Sequence, residues 1–180
     1  TLYFLTGNED KLREAKLIFP EIEGLNIDLL EIQSMNTQEI IKHKLEEARK
    51  KHDGNFIVED TSLYIECLND LPGPLIKWFM KTLGYKGIYN IVKNFDNKKA
   101  IAKCIIGFSR ASKVEYFEGA VHGKIVEPEG TGFGWDPIFQ PENHDKTFGQ
   151  MTAEEKNRIS MRKLAFEKLK EYLEQNYKDL

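Results

Sequence analysis

The apolar run Leu2-Tyr3-Phe4-Leu5 stops at Thr6-Gly7-Asn8, and helical spacing begins at once, with Leu12, Ala15 and Phe19 inside 11–19. Four consecutive apolar residues closed by a glycine turn read as a buried strand. The same change of period returns further on. Residues 39–52 put Ile40, Ile41, Leu45 and Ala48 on one helical face, Asp53-Gly54-Asn55 closes that helix, and Phe56-Ile57-Val58 reads as the next strand. A chain that alternates in this way must pack helices on a sheet, which predicts α/β or α+β and disfavours all-α and all-β.

The middle and the end continue the mixture. Leu71-Pro72-Gly73-Pro74 predicts a rigid loop that opens a helix carrying Leu75, Ile76, Phe79 and Met80. Residues 87–95 form a second short helix with Ile88, Ile91 and Val92, and 100–109 with 114–121 predict a β-hairpin across a polar turn. From Thr152, where Thr152 and Glu155 fit a capping box, one long helix is expected to about Tyr177. There is no repeat, low-complexity tract or Ser/Pro-rich linker, so the 180 residues are read as one domain.

Composition excludes several classes. Hydrophobic residues make up 41%, enough for a core, and 26 basic against 29 acidic residues give a net charge of −3. A general nucleic-acid coat needs a basic surface, so no nucleic-acid partner is expected. No apolar run approaches the ~18 residues of a membrane span, and 2–5 is too short for the apolar centre of a secretory leader. Two cysteines, Cys67 and Cys104, cannot build a disulfide framework and suggest a reducing compartment; the expectation is a cytoplasmic protein with no membrane partner. The four histidines show no metal-ligand spacing, and neither a Walker lysine nor a G-x-S-x-G elbow is present.

Four places suit chemistry. Thr6-Gly7-Asn8 with Lys11 sets a helix N-terminus, its amides and an ammonium together, as a phosphate would require; it also suits a plain strand-turn-helix capped by Asn8. Glu59-Asp60-Thr61 follows the strand 56–58, where α/β sheets place ligands. Period two sends Glu59 and Asp60 to opposite faces, so at most one serves a given site, as ligand to a hard cation such as Mg2+ or as general base; a solvated strand end is the alternative. Phe133-Gly134-Trp135-Asp136-Pro137 offers aromatic faces to a planar base and a carboxylate to its nitrogens, or else plugs the core. In the last helix, Ile159, Phe166, Leu169 and Leu173 make one stripe with Arg162 in its middle, and a guanidinium there needs an anionic or carbonyl partner or must snorkel. Lys156 falls off that stripe, near Ser160 and Lys163.

In their order along the chain these residues resemble the inosine triphosphate pyrophosphatase family, which hydrolyses non-canonical purine nucleoside triphosphates. The matching pieces run from Thr6 to about Phe166: Thr6-Gly7-Asn8-x-x-Lys11, Val58-Glu59-Asp60-Thr61, Leu71-Pro72-Gly73-Pro74 with Lys77-Trp78-Phe79, Phe133–Pro137, Phe139-Gln140-Pro141, and Met151-Thr152 through Glu155-Lys156-Asn157. The resemblance implies an α/β fold whose elongated mixed sheet, with helices, forms two lobes around a central nucleotide cleft. It implies a homodimer that hydrolyses ITP, dITP or XTP to the monophosphate and pyrophosphate, with Mg2+ or with Mn2+ in its place. Thr6, Gly7, Asn8 and Lys11 would hold the triphosphate, Asp60 would bind the metal and position or deprotonate the attacking water, and Thr61 adjoins it. Glu31 matches the second metal carboxylate, although the segment to Glu39 is one residue longer here. Lys44 and Lys156 match further basic contacts, and Phe133, Gly134, Trp135 and Asp136 would cradle the base.

One departure stands out. The family's base-reading segment ends Ser-His-Arg, and this chain has Ser160-Met161-Arg162. Arg162 suits donation to the 6-keto oxygen of inosine and xanthine, whereas Met161 cannot replace a histidine donor, so base discrimination is loosened or shifted. Two other readings stay open: a related Maf-like nucleotide pyrophosphatase with a different base preference, and a catalytically silent nucleotide-binding protein.

Overall fold

A computed structural model describes residues 1–180. The elements are β1 (Leu2–Leu5), α1 (Glu9–Ile18), β2 (Glu23–Leu25), α2 (Thr37–Lys51), β3 (Asn55–Ile65), β4 (Leu71–Gly73), α3 (Ile76–Thr82), α4 (Gly84–Val92), β5 (Lys99–Arg110), β6 (Lys113–Ile125), β7 (Phe139–Pro141), α5 (Ala153–Ile159) and α6 (Met161–Asn176). One seven-stranded mixed sheet has the order β2-β1-β3-β5-β6-β7, with β4 added on β3. Strand β1 runs parallel to both β2 and β3, with α1 and α2 in the intervening connections, as parallel neighbours require. Strands β4 and β7 are antiparallel to β3 and β6. The fold is mixed α/β.

Local chemistry starts the first two long helices. Asn8 takes an extended conformation and its side chain accepts from the amides of Asp10 and Lys11, while Asn36 does the same for Gln38 and Glu39 at the head of α2. Arg49, Lys50 and Lys51 close α2 where its dipole favours cations.

The chain divides into two compact units: 1–60 with 104–119 and 161–180, and 61–103 with 120–160. In the first, Leu5, Phe56 and Val58 pack with Ile41, Leu45 and Ala48 of α2, joined by Ile105, Val114 and Tyr116. A Cβ on Gly107 would lie 2.2 Å from Ile41 Cγ2, so this strand position must be glycine for α2 to come so close. The alternate residues face the other way: Phe4 meets Phe166 of α6 edge-on at 5.9 Å, Phe108 meets Tyr172 and Tyr177, and α1 packs on α6. In the second unit, Leu63, Ile65, Ile88, Val92, Ile125, Ile138, Phe139 and Phe148 are buried. There Gly130, at φ +83°, crosses Gly149 so tightly that a Cβ would fall 2.2 Å from the Gly149 carbonyl oxygen. The Thr131 amide donates to that oxygen at 2.8 Å.

Several expectations are corrected. The strand at 56–58 continues to Ile65, so Glu59-Asp60-Thr61 lies inside β3 and not beyond its end; β4 supplies backbone partners to 63–65, which lets polar residues stay in the strand. For the same reason Leu71-Pro72-Gly73 is a strand, with a cis Leu71–Pro72 bond, and the helix opens only at Ile76. The helix expected at 87–95 begins at Gly84 and stops at Val92. The hairpin lengthens in both arms and turns at Ala111-Ser112, with Ala111 at φ +52°. The long terminal helix breaks at Ser160, which is extended (φ −68°, ψ 154°), giving α5 and α6. Thr152 accepts from the Glu155 amide at 3.1 Å, but the Glu155 carboxylate pairs with Lys146, so the expected capping box is half made.

Candidate active site

The β1–α1 turn uses much of its own hydrogen-bonding capacity. The Asn8 amide donates to Thr6 Oγ1 at 3.0 Å, and the amides of Asp10 and Lys11 donate to Asn8 Oδ1. Gly7 and Asn8 are exposed. Lys11 follows the acidic Glu9 and Asp10 in the first turn of α1 and keeps 25% of its side chain exposed.

Glu59 and Asp60 answer to different surroundings. Glu59 faces α1 and α6: its Oε1 takes the Lys11 ammonium at 3.0 Å and its Oε2 the Arg162 Nε at 2.5 Å. Arg162 Nη1 donates to Glu14 Oε2. Lys11, Glu59, Arg162 and Glu14 thus alternate in sign through a buried chain of contacts, with Glu59 and Arg162 nearly inaccessible. Burial alone would push the Glu59 carboxyl up, but Arg162 and Lys11 hold it well below the usual carboxylate range. Burial likewise opposes the Arg162 charge, and Glu59 and Glu14 carry its pKa above the ordinary value.

Asp60 has the even parity of Phe56 and Val58, the α2 face. Its Oδ2 is buried with no hydrogen-bond partner. Burial lifts its pKa from 3.8 to about 6, against the pull of Lys11 and Lys44 and with help from the charges of Glu59 and Glu31. Glu31 pairs with Lys44 Nζ at 2.8 Å. No group of three or more His, Cys, Asp or Glu side chains is placed to hold a metal. Yet an orphaned carboxylate oxygen, with a second carboxylate in its field, fits a hard cation that keeps waters and phosphate oxygens among its ligands.

In the second unit, Lys156 of α5 places Nζ 2.8 Å from Asp136 Oδ2, both side chains buried. The same ammonium lies 4.4 Å from the Phe133 ring centre and 5.5 Å from that of Phe148. Trp135 packs edge-on against Phe139, which stacks on Phe148. Gly134, at φ +62°, makes the turn between Phe133 and Trp135. Thr147 donates from Oγ1 to the Glu129 carbonyl at 2.7 Å and joins the two arms of this loop.

A model of the Ham1 family matches residues 2–172. The chain belongs to the Ham1 family. Among its relatives, a protein of Schizosaccharomyces pombe named inosine triphosphate pyrophosphatase is 41% identical over 180 residues, covering 97% of this chain and 95% of that one. One of the same name from Podospora anserina is 43% identical, covering 94% and 92%. The Staphylococcus aureus Ham1 protein superposes with a TM-score of 0.81 at 27% identity, over 97% of this chain and 98% of that one. A HAM1 protein from Coxiella burnetii, at 24% identity, shares the fold with a TM-score of 0.86 over 97% and 98%.

In this Ham1-family chain the residues singled out from sequence fall into three sets. Lys11 and Arg162 meet on Glu59; Asp60, Glu31 and Lys44 form an electrostatic group; Phe133, Asp136 and Lys156 form a third, with Gly134 and Trp135 in the same loop. Thr61 is partly exposed, one residue beyond Asp60 in β3, and Met161 is buried at the head of α6. Lys156, off the apolar stripe of a continuous helix, is buried in α5, which ends at the break at Ser160. Sequence reasoning missed Glu14 and Phe148. Glu14 lies three residues after Lys11, one helical turn along α1, and that spacing was its only signal.

Proposed function

We propose that this chain hydrolyses non-canonical purine nucleoside triphosphates, ITP, dITP and XTP, to the nucleoside monophosphate and pyrophosphate. Relatives about 40% identical over nearly their whole length carry the name inosine triphosphate pyrophosphatase. The observation that carries the reading is Asp60: a partly exposed carboxylate whose Oδ2 is buried and unpartnered, in the field of Lys11, Lys44 and Glu31, in a chain of this family.

In this reading water attacks the α-phosphorus, the bond from that phosphorus to the α,β-bridging oxygen breaks, and pyrophosphate leaves. Ionised Asp60 orients the water and takes its proton. Lys11 and Lys44 neutralise phosphate charge that grows toward the leaving group, and Thr6, Gly7 and Asn8 border the triphosphate. Asp60 and Glu31 would hold a Mg2+ ion, or Mn2+ in its place, which when bound would supply further charge neutralisation on the phosphate oxygens. The half-buried Phe133 offers its ring to the base; Trp135 and Gly134 shape that loop, and Asp136 holds Lys156 beside the ring. Arg162 donates to the 6-keto oxygen, and Met161 provides no donor next to it. The working form is a cytoplasmic homodimer, a reading that rests on the resemblance and is checked by light scattering and by fractionation.

The test is pyrophosphate release from ITP, XTP, dITP, GTP and ATP, with and without Mg2+. Mg2+-dependent release from the first three, with GTP and ATP nearly inert, is expected. Equal release from all five removes the base preference and implicates Met161. No release from any of them overturns the enzyme reading.

A further inference from the structure

The geometry points to Glu59 as a positioning residue that fixes two functional cations at once, the Lys11 ammonium and the Arg162 guanidinium, so that turnover and base choice both depend on one buried carboxylate. The inference rests on the proposed function, because it takes Lys11 as the phosphate-facing cation and Arg162 as the base-facing one. Both oxygens of the buried Glu59 carboxylate are taken by cations, so it acts through them. Its two oxygens are divided: Oε1 meets Lys11 at the start of α1, and Oε2 meets Arg162 at the start of α6. Strand β3, which carries it, is hydrogen-bonded to strands on both sides.

Each partner has a reason to need the tether. Lysine is a point charge on a flexible four-carbon stem, and only a fixed carboxylate restricts where its ammonium sits. Lys11 stays a quarter exposed while tethered, so it can meet an anion without leaving Glu59. Arginine is a planar fork, and its plane is set by whatever binds two of its nitrogens. Glu59 takes Nε and Glu14 takes Nη1, which fixes the guanidinium plane. Glu59 thus joins both cations through its two oxygens, while Glu14 adds a second carboxylate on the guanidinium.

The experiment compares kcat and KM for ITP and for ATP in the wild-type protein, in Glu59→Gln, in Lys11→Met, and in the double variant. Folding is checked by near-UV circular dichroism and thermal unfolding. A glutamine keeps the shape but offers its oxygen to only one cation and turns an NH2 toward the other. The expected result for Glu59→Gln is a kcat on ITP lower by roughly 10- to 100-fold, a smaller change in KM, and a reduced ITP-over-ATP preference. In the Lys11→Met background the same change should lower kcat on ITP by less than about threefold, because the route through Lys11 is already lost. If Glu59→Gln does not fold, Glu59→Asp keeps the charge but cannot span both cations, and smaller losses of both kinds are expected. A folded Glu59 variant with wild-type turnover and preference overturns the inference, and so do losses that multiply fully in the double variant. A wild-type protein that releases no pyrophosphate from ITP instead overturns the function it rests on.

Discussion

Glu59 and Asp60 are neighbours on β3, yet their surroundings move their carboxyl pKa values in opposite directions. Glu59 is enclosed by Lys11 and Arg162 and held ionised far below the usual range. Asp60 has a buried oxygen with no partner and is pushed up to about 6. The strand's period of two makes this division: one face meets α1 and α6 and their cations, the other faces α2. The satisfied carboxylate organises the structure, and the unsatisfied one is available for chemistry, at a cost in stability.

The sharpest way to break this comparison is Asp60→Asn. Turnover should fall between about 100- and 10,000-fold, read as pyrophosphate release. Stability should move the other way. The folded pKa of about 6 lies above the ordinary 3.8, so the folded state keeps a proton that the unfolded chain has already released. That contribution is fully present below pH 3.8 and lost as pH rises through 6. At pH 7 with a chelator, Asp60→Asn should therefore be more stable than wild type by about 1 to 3 kcal/mol, with the gap closing toward pH 4. Urea unfolding at both pH values measures it, and a less stable variant at pH 7 would contradict the assignment.

On the other face the sign reverses. Arg162→Leu leaves Glu14 and Glu59 buried without their guanidinium, and a loss of about 3 to 5 kcal/mol is expected in the same urea experiment. The second unit offers a parallel in Lys156 and Asp136, buried at 2.8 Å. There Lys156→Met should destabilise by about 3 kcal/mol and also free the Phe133 ring, visible as a changed ITP-over-ATP preference. The smallest effect on folding belongs to the Lys44–Glu31 pair, whose side chains are 17% and 33% exposed. Lys44→Met should change stability by less than about 1 kcal/mol while raising KM for ITP roughly tenfold. A larger loss of stability there would make Lys44 a structural residue.

Much of this was legible before any coordinates. The apolar run of β1, the amphipathic spacing of α1 and α2 and the β5–β6 hairpin follow from periodicity, and their ends fall within a few residues of expectation. Asn8 announced its cap, and Arg162 announced its need for an anion. Less was legible where partners come from elsewhere in the chain. Polar Glu59-Asp60-Thr61 looked like a strand's end because the backbone partners of the following residues belong to β4. The break at Ser160 carried only the weak signal that serine favours helix starts, in a run of good helix formers.

By itself the sequence determined the alternation of strands and helices, the period-two separation of Glu59 from Asp60, and the ordered motifs of the family. Those are properties of neighbours in the chain, set by backbone geometry and side-chain spacing. Only the tertiary structure decided that Glu59 closes on Lys11 and on Arg162, 103 residues away, that Glu14 completes the guanidinium's partners, and that Asp60 keeps an oxygen unmet. Buried charges must find partners in space, and which partners they find depends on how helices pack across a sheet, which local spacing does not encode.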